Sequence, residues 1–187
     1  MNRMKRAALL TELADKLRDQ GSWCGETHVQ KAMYFLQVLL EVPAGFQFIL
    51  YKHGPYAFDQ GDELTALEAD GLMELRPQPA PYGPSLVTTP RSVEFRQRYP
   101  ITLGKYAAQI AFIARTLGKK GVAELERLAT ALYVSREPGA ASSVEERAQR
   151  LNALKPHVSL AQAREAVQEL DRIAAAAKSL NTEKTHV

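Results

Sequence analysis

Two side chains near the start of the chain are of the types used in covalent catalysis, a thiol and an imidazole. Cys24 and His28 are four residues apart, and thiol proteases pair a cysteine nucleophile with a histidine base. Such a protease also needs an orienting Asn or Asp and an oxyanion hole, and the sequence indicates neither. As metal ligands the pair would be an incomplete set. We therefore predict an inert thiol, no catalytic residue, no metal and no cofactor.

Three carboxylates close together, Asp59, Asp62 and Glu63, could in principle form an acid/base pair. They also stand where a helix is predicted to begin, and carboxylates there interact favourably with the helix dipole. We interpret them as a solvated acidic helix start. The sequence contains no G-x-S-x-G, H-E-x-x-H or glycine-rich phosphate loop, so we predict that the protein is not an enzyme.

The segment Lys52-His53-Gly54-Pro55-Tyr56 is the most distinctive local motif. Because a Gly-Pro pair interrupts a strand ladder, it predicts a turn. His53, Tyr56 and nearby Phe58 could present an exposed aromatic anchor of the kind that dominates protein interfaces. Alternatively, the turn only shapes the entry to the next helix, with its tyrosines packed. Trp23 raises the same question, and we favour a lid over the core to an exposed contact.

These residues must be positioned by the elements of the first half. Apolar spacing predicts a helix over residues 3–20 and a second, largely buried helix that begins at the N-cap Thr27 and ends before Pro43. A strand over 46–51, a helix over 59–69 and two strands near 73–76 and 86–89 follow. Four prolines within residues 77–84 stiffen the tip between the last two strands.

Everything after Pro90 has helical apolar spacing. Helices are predicted near 91–98, 104–118 and 121–135, then one capped by Ser142 or Ser143 and a last one capped by Ser159. The last helix carries a narrow, alanine-rich stripe that suits close packing against another helix, either within the chain or across a homodimer.

The order of these elements defines the expected fold class. It is mainly α with a small β-hairpin, as a winged-helix-like module over residues 1–90 and a helical extension over 91–187. With 187 residues, the two parts are expected to form one structural unit.

Charge is divided unevenly between these parts. Residues 1–90 hold 8 Lys/Arg against 11 Asp/Glu, so the total of +3 comes entirely from the second half. The helix predicted over 59–69, which would enter the DNA groove in a winged helix, has carboxylates and no Lys or Arg. Phosphate binding needs cations there. The nucleic-acid alternative therefore rests on basic residues of the second half: Arg91, Arg96, Arg98, Lys105, Lys119 and Lys120.

Three motifs carry a resemblance to a known family. They are Lys31-Ala32-Met33-Tyr34-Phe35-Leu36-Gln37, Tyr51-Lys52-His53-Gly54-Pro55-Tyr56-Ala57 and Leu64-Thr65-Ala66-Leu67-Glu68-Ala69-Asp70-Gly71-Leu72. This pattern resembles Panacea-domain (SocA-like antitoxin) proteins, and the Tyr before Lys-His-Gly-Pro-Tyr is similar to the related YwgA-like bacterial proteins. The match covers roughly residues 27–75 and, weakly, the later Lys155-Pro156-His157-Val158-Ser159 before the last helix. The resemblance implies an antitoxin that neutralises a toxin, or an adaptor that delivers one to a protease.

Composition limits the remaining classes. The hydrophobic fraction of 45% and charged fraction of 24% are those of an ordinary globular protein. No apolar run approaches the roughly 18 residues of a membrane span, and we expect a cytoplasmic protein without a membrane partner. The predicted function is binding of a protein partner, such as a cognate toxin or defence effector, through His53, Tyr56, Phe58, Asp59, Asp62 and Glu63. The alternative is a DNA-binding transcriptional regulator that uses the basic second half.

Overall fold

The computed structural model describes residues 1–80, 82–140 and 143–182. In this part the chain is mainly helical, with two small antiparallel strand pairs. The helices are α1 (Arg3–Asp19), α2 (Glu26–Val38), α3 (Phe58–Ala69), α4 (Pro90–Arg96), α5 (Pro100–Leu117), α6 (Val122–Ser135), α7 (Val144–Leu154) and α8 (Leu160–Thr182). The strands are β1 (Ile49–Tyr51), β2 (Gly54–Tyr56), β3 (Met73–Arg76) and β4 (Ser85–Thr88).

Helix α2 lies at the centre of the core. Its residues from His28 to Leu36 are all buried, because α1, α3, α5, α6 and β2 contact it from several sides. The largely buried second helix is thus confirmed. One cluster of buried apolar side chains joins Phe35 of α2 to Ile113 of α5 and Leu128 of α6, so the two sequence halves share a core.

The first hairpin differs from the prediction. Gly54-Pro55-Tyr56 forms β2 and pairs antiparallel with β1, so the turn shrinks to Lys52 and His53. The pairs of an antiparallel ladder alternate, and the pair that closes a two-residue loop is hydrogen-bonded. Pro55, opposite Leu50, therefore occupies a position that needs no N–H donor. The prediction that Gly-Pro ends the strand was wrong for this reason.

The strand before this turn is also shorter than predicted. β1 begins at Ile49 rather than Phe46, because the side-chain amide of Gln37 binds the backbone of Phe46. Gln37 Nε2 donates to the Phe46 carbonyl oxygen at 2.8 Å, and the Phe46 N–H donates to Gln37 Oε1 at 2.9 Å. This part of the chain is tied to α2 instead of to a neighbouring strand.

The second hairpin pairs β3 with β4 in the predicted region. The stiff tip over 77–84 has no strand in its described residues, and Pro81 lies outside them. On its other side β4 meets the segment before α2, where the Leu86 N–H donates to the Cys24 carbonyl oxygen at 2.9 Å. α2 itself begins at Glu26, capped by Gly25 and not by Thr27.

The caps of the last two helices are serines. Ser143 Oγ accepts from the Glu146 N–H, and Ser159 Oγ accepts from the Gln162 N–H; Ser142 lies outside the described residues. The alanine-rich stripe of α8, with Ala163 and Val167, is buried, and α8 packs on α6 and α7 of the same chain. Among the described helices, none is long and apolar enough to cross a membrane.

Candidate functional site

The turn between β1 and β2 packs against α6, and the residue in contact is a glycine. Gly54 is buried and has φ +84°, a backbone conformation that glycine adopts without strain. A Cβ at this position would lie 3.2 Å from Thr130 Oγ1 and 3.4 Å from the Glu126 carbonyl oxygen. The hairpin can therefore approach α6 this closely because residue 54 has no side chain.

Two buried lysines hold the backbone on both sides of the turn. Lys31 of α2 donates from Nζ to the Pro55 carbonyl oxygen at 2.8 Å. Lys155, just after α7, donates to the carbonyl oxygens of Tyr51 at 2.9 Å and of Lys52 at 2.5 Å. The turn is thus fixed by ammonium groups from two distant parts of the chain.

The carboxylate of Glu126 lies among these cations. It is buried, with Oε1 3.4 Å from both Lys155 Nζ and His157 Nε2. His53 Nδ1 approaches Oε2 at 3.6 Å, while the side chains of His53 and His157 remain 67% and 63% exposed. Within the described residues Glu126 Oε1 has no hydrogen-bond donor. The Lys155 ammonium group therefore links α6 to the turn, since it lies beside Glu126 and donates to the carbonyl oxygens of Tyr51 and Lys52.

Burial lowers the pKa of Lys31 to about 8; the charge of Glu126 opposes this shift and that of Lys155 adds to it. A lysine with such a pKa can act as a nucleophile when a substrate can reach it. Lys31 is 1% exposed and donates to a backbone carbonyl. Lys31 is therefore placed to hold the turn and not to attack a substrate.

Sequence reasoning assigned no role to Lys31, Glu126, Lys155 or His157. A signal existed for Lys31, because it falls in a helix that the sequence predicts to be largely buried, and a lysine is rarely buried without a partner. For Glu126 there was none, and for Lys155 and His157 there was only the weak resemblance. The meeting of these three residues depends on tertiary packing.

The aromatic side chains around the turn form an exposed cluster. The ring centroids of Tyr51, Tyr56 and Phe58 are 5.0 to 6.0 Å apart, and Tyr51 and Phe58 are each 53% exposed. Exposed Ile49 belongs to the same strand as Tyr51. We call the three rings together with Ile49 the aromatic cluster. Of the predicted anchor residues, Tyr56 and Phe58 belong to it, whereas His53 approaches Glu126.

The three predicted carboxylates have different environments. Asp62 is exposed, and Asp59, half-buried, accepts a hydrogen bond from the Gln47 N–H at 3.2 Å. Glu63 is buried and ion-paired with Arg3 of α1 at 3.1 Å and Arg6 at 3.9 Å. The expectation of a solvated carboxylate is wrong for Glu63, because two arginines from α1 cover it.

A groove of about 800 Å³ opens beside α3. It lies between α3, the second hairpin and the starts of α2 and α6, and we call it the α3 groove. Its large apolar lining residues are Trp23, Leu64, Leu75, Tyr82, Leu86 and Val122. Glu26 and Glu68 also line it, and among its described lining residues none is Lys or Arg.

Trp23 lies at the rim of this groove and does not cover the core. Its ring is 40% exposed and packs on Tyr82, with the centroids 4.7 Å apart. The expectation of a lid is therefore wrong: the proline-rich tip of the second hairpin supplies the aromatic partner. No pattern around Trp23 predicted that contact, which joins two segments far apart in sequence.

The groove and the aromatic cluster meet at one side chain. Tyr56 Oη donates to Glu26 Oε1 at 2.7 Å, and a Cβ at Gly61 would lie 2.9 Å from that hydroxyl. Burial and the neighbouring Glu26 raise the pKa of Tyr56 to about 12. The phenol therefore stays protonated and connects the two surfaces.

Cys24 and His28 do not form a nucleophile and base pair. Cys24 is 0% exposed, and burial raises the pKa of its thiol to about 12. His28 Nε2 is 2.9 Å from the Leu117 carbonyl oxygen and Nδ1 is 2.8 Å from Ser22 Oγ. A carbonyl can only accept, so Nε2 donates and a neutral ring accepts from Ser22. Burial lowers the pKa of His28, which favours this neutral form.

The basic residues of the nucleic-acid alternative do not share one environment. Arg96 is ion-paired with Asp15 and Glu12 of α1, and Lys120 with Glu124 and Glu169. Lys105 Nζ lies over the Tyr106 ring at 5.3 Å, and Lys119 is exposed. Arg91 and Arg98 line a smaller pocket of about 280 Å³ together with Arg3 and acidic residues.

No protein-family model matches the sequence, and the curated proteins compared with it include no match.

Proposed function

We propose that this chain is a cytoplasmic, non-enzymatic protein that works by binding another protein. One observation carries the proposal: the aromatic cluster is exposed and stands on a turn that two buried lysines and a glycine contact hold in place. A few residues supply most of the binding energy of a protein interface, and tyrosine is enriched among them. When they are already positioned, little entropy is lost on association.

The partner's character follows from the surroundings of the cluster. Asp62 and Glu68 are exposed on α3, while Asp70 just after it is ion-paired with Arg3 at 2.7 Å. A partner with a basic or apolar surface complements the face that carries Asp62 and Glu68. The resemblance to antitoxins supports a cognate toxin or another component of a bacterial or phage defence system. The chain would then act as an antitoxin, or as an adaptor in such a system.

The proposed architecture is a winged-helix-like module over residues 1–90 with residues 91–187 packed on it. The order of α1, α2, α3 and the hairpin of β3 and β4 supports it. In this arrangement α3 takes the place of the recognition helix. Its exposed carboxylates favour a protein ligand over a phosphate backbone.

A matched pair of variants tests the proposal. Phe58→Asp removes one of the two most exposed rings of the aromatic cluster. The change lies at the first position of α3, where Asp suits the helix dipole. Ile101→Asp makes the same change near the start of α5, at a side chain 86% exposed. We expect affinity capture from the native host to recover a partner with the wild type and Ile101→Asp, and at least about tenfold less with Phe58→Asp.

Co-expression gives the second readout. The product of the neighbouring gene is expected to be toxic alone, harmless with the wild type and toxic again with Phe58→Asp. Capture of no stable partner, or equal capture by the two variants, contradicts the proposal.

A further inference from the structure

The α3 groove has the size and lining of a ligand site. Its volume of about 800 Å³ lies within the range of clefts that bind ligands, which are mostly apolar with a few polar groups. Four of its lining side chains, Trp23, Leu75, Tyr82 and Val122, are 38 to 52% exposed. Contiguous exposed apolar side chains with polar residues at the rim mark interaction sites.

Charge identifies the kind of occupant. The protein carries a net charge of +3 and has 24 Lys and Arg residues. The described residues that line the groove, in contrast, are all neutral or acidic. Glu26 and Glu68 are its carboxylates. Within the described residues, Glu68 has no ion-pair partner, and Glu26 interacts with the hydroxyl of Tyr56. Both carboxylates are therefore available to a cation.

The two helices that begin at the groove do not reverse this preference. The positive ends of α2 and α6 would favour an anion. Glu26 lies in the first turn of α2, and in α6 the first-turn Glu124 is ion-paired with Lys120, so that pair adds no net charge. The carboxylates among the described lining residues are Glu26 and Glu68, and both favour positive charge.

We infer that the α3 groove binds a basic amphipathic segment of the partner protein. Apolar side chains of that segment fill the space lined by Trp23, Leu64 and Leu86, and its Lys or Arg side chains pair with Glu26 and Glu68. This inference rests on the proposed function and identifies the part of the partner that is recognised. The groove adjoins the aromatic cluster through Tyr56, so one partner can contact both.

The molecule contains its own reporter for this binding. Trp23 is the only tryptophan and stands at the groove rim, so a ligand that enters the groove changes its emission. The probe is a tryptophan-free amphipathic peptide of Leu and Lys, about 14 residues long, or four helical turns. A second peptide replaces every Lys by Glu. General electrostatics of a +3 protein would favour the Glu peptide, so preference for the Lys peptide reports the groove.

Two glycines of the groove offer variants that can fill it, because an added side chain would begin in open space. A Cβ at Gly121, which lines the groove, would meet no atom within 4 Å, and the same holds for Gly83. Gly104 of α5 is equally open but lies elsewhere. Gly121→Leu and Gly83→Leu are the blocking variants, and Gly104→Leu is their control. For charge, Glu68→Lys is compared with Glu165→Lys, at an exposed position of α8.

The Lys peptide is expected to shift the emission of Trp23 in a saturable way. Its affinity should be at least about tenfold lower for Gly83→Leu, Gly121→Leu and Glu68→Lys. The affinity should be unchanged for the controls Gly104→Leu and Glu165→Lys. Gly83→Leu decides the blocking test if Gly121→Leu fails to fold, since Leu is a poor N-cap for α6. The inference is overturned by equal or tighter binding of the Glu peptide, by no response to the Lys peptide, or by blocking variants that bind normally. A response to protein concentration alone would assign the groove to a second copy of the chain and also overturn it.

Failure here and failure of the proposed function are distinguishable. If Gly83→Leu captures the host partner as well as the wild type does and Phe58→Asp does not, protein binding stands and the groove assignment falls. If the Lys peptide binds and no host partner is captured, the groove assignment stands and the proposed function falls.

Discussion

Lys31 shows how a single buried charge can serve a surface feature. Its ammonium group lies in the core of the molecule, where burial disfavours the charged form. The hydrogen bond to the Pro55 carbonyl and the nearby Glu126 carboxylate compensate part of this penalty. The charge is retained where it fixes the backbone beneath the aromatic cluster.

This burial predicts a pH dependence of stability. The pKa of Lys31 is about 8 in the folded chain, below the ordinary 10.5. Between these values the unfolded chain binds more protons, so the free energy of unfolding rises with pH above pH 8. We expect a gain of about 1 kcal/mol between pH 8 and pH 9, measured by urea denaturation, and no such gain in Lys31→Met.

The comparison is confined to this window because other groups act in the opposite direction above it. Burial raises the pKa of Cys24 from 9.0 to about 12, so the unfolded thiol ionises first and stability falls above pH 9. A gain in Lys31→Met equal to that of the wild type would show that Lys31 is not the titrating group.

At the scale of elements, the first hairpin depends on its contact with α6. Gly54 and Gly45 have nearly the same positive φ, 84° and 85°, but their surroundings differ. A Cβ at Gly54 would press on Thr130, whereas one at Gly45 would meet no atom within 4 Å. The two positions separate backbone strain from close packing.

We expect Gly45→Ala to lower the free energy of unfolding by about 1 kcal/mol through backbone strain alone. Gly54→Ala should cost about 1 kcal/mol more, because Thr130 or the hairpin must also move. Chemical denaturation measures both. Equal costs would mean that the hairpin adjusts to the added methyl group and is not held firmly against α6.

Elements were predictable from sequence where local signals decide them. The apolar spacing of α1 and α2 and the cap at Ser143 depend on residues close in the chain, and the structure confirms them. The strand at Gly54 to Tyr56 was not predictable from composition, since Pro55 is tolerated only in one register of the hairpin.

The candidate site was predictable only in part, for a related reason. Tyr56 and Phe58 are near neighbours in sequence, and their exposed cluster could be anticipated. Burial of Glu63 by Arg3 of α1 and the contact of Trp23 with Tyr82 join segments far apart in the chain. Such contacts depend on how helices pack, which one-dimensional periodicity does not specify.

At the scale of the whole molecule, the uneven charge of the two halves is partly cancelled by folding. Arg96 from the basic half donates to Asp15 and to the Thr11 carbonyl of the acidic half. Other cations of the second half, such as Arg147 with Asp171 and Arg150 with Glu137, have partners in their own half. These three arginines are therefore not available to form one free basic surface.

This distribution predicts weak binding of nucleic acid. Exposed Asp62 and Glu68 of α3 repel phosphates, and Arg76 of the second hairpin is ion-paired with Glu74. Because affinity for DNA depends on the number of phosphates neutralised, we expect no retardation of a short duplex at low salt in a mobility-shift assay. Arg91 and Arg98 are the cations to neutralise as a pair. A retarded complex that Arg91→Gln with Arg98→Gln weakens equally for all sequences would contradict this expectation and favour the DNA-binding alternative.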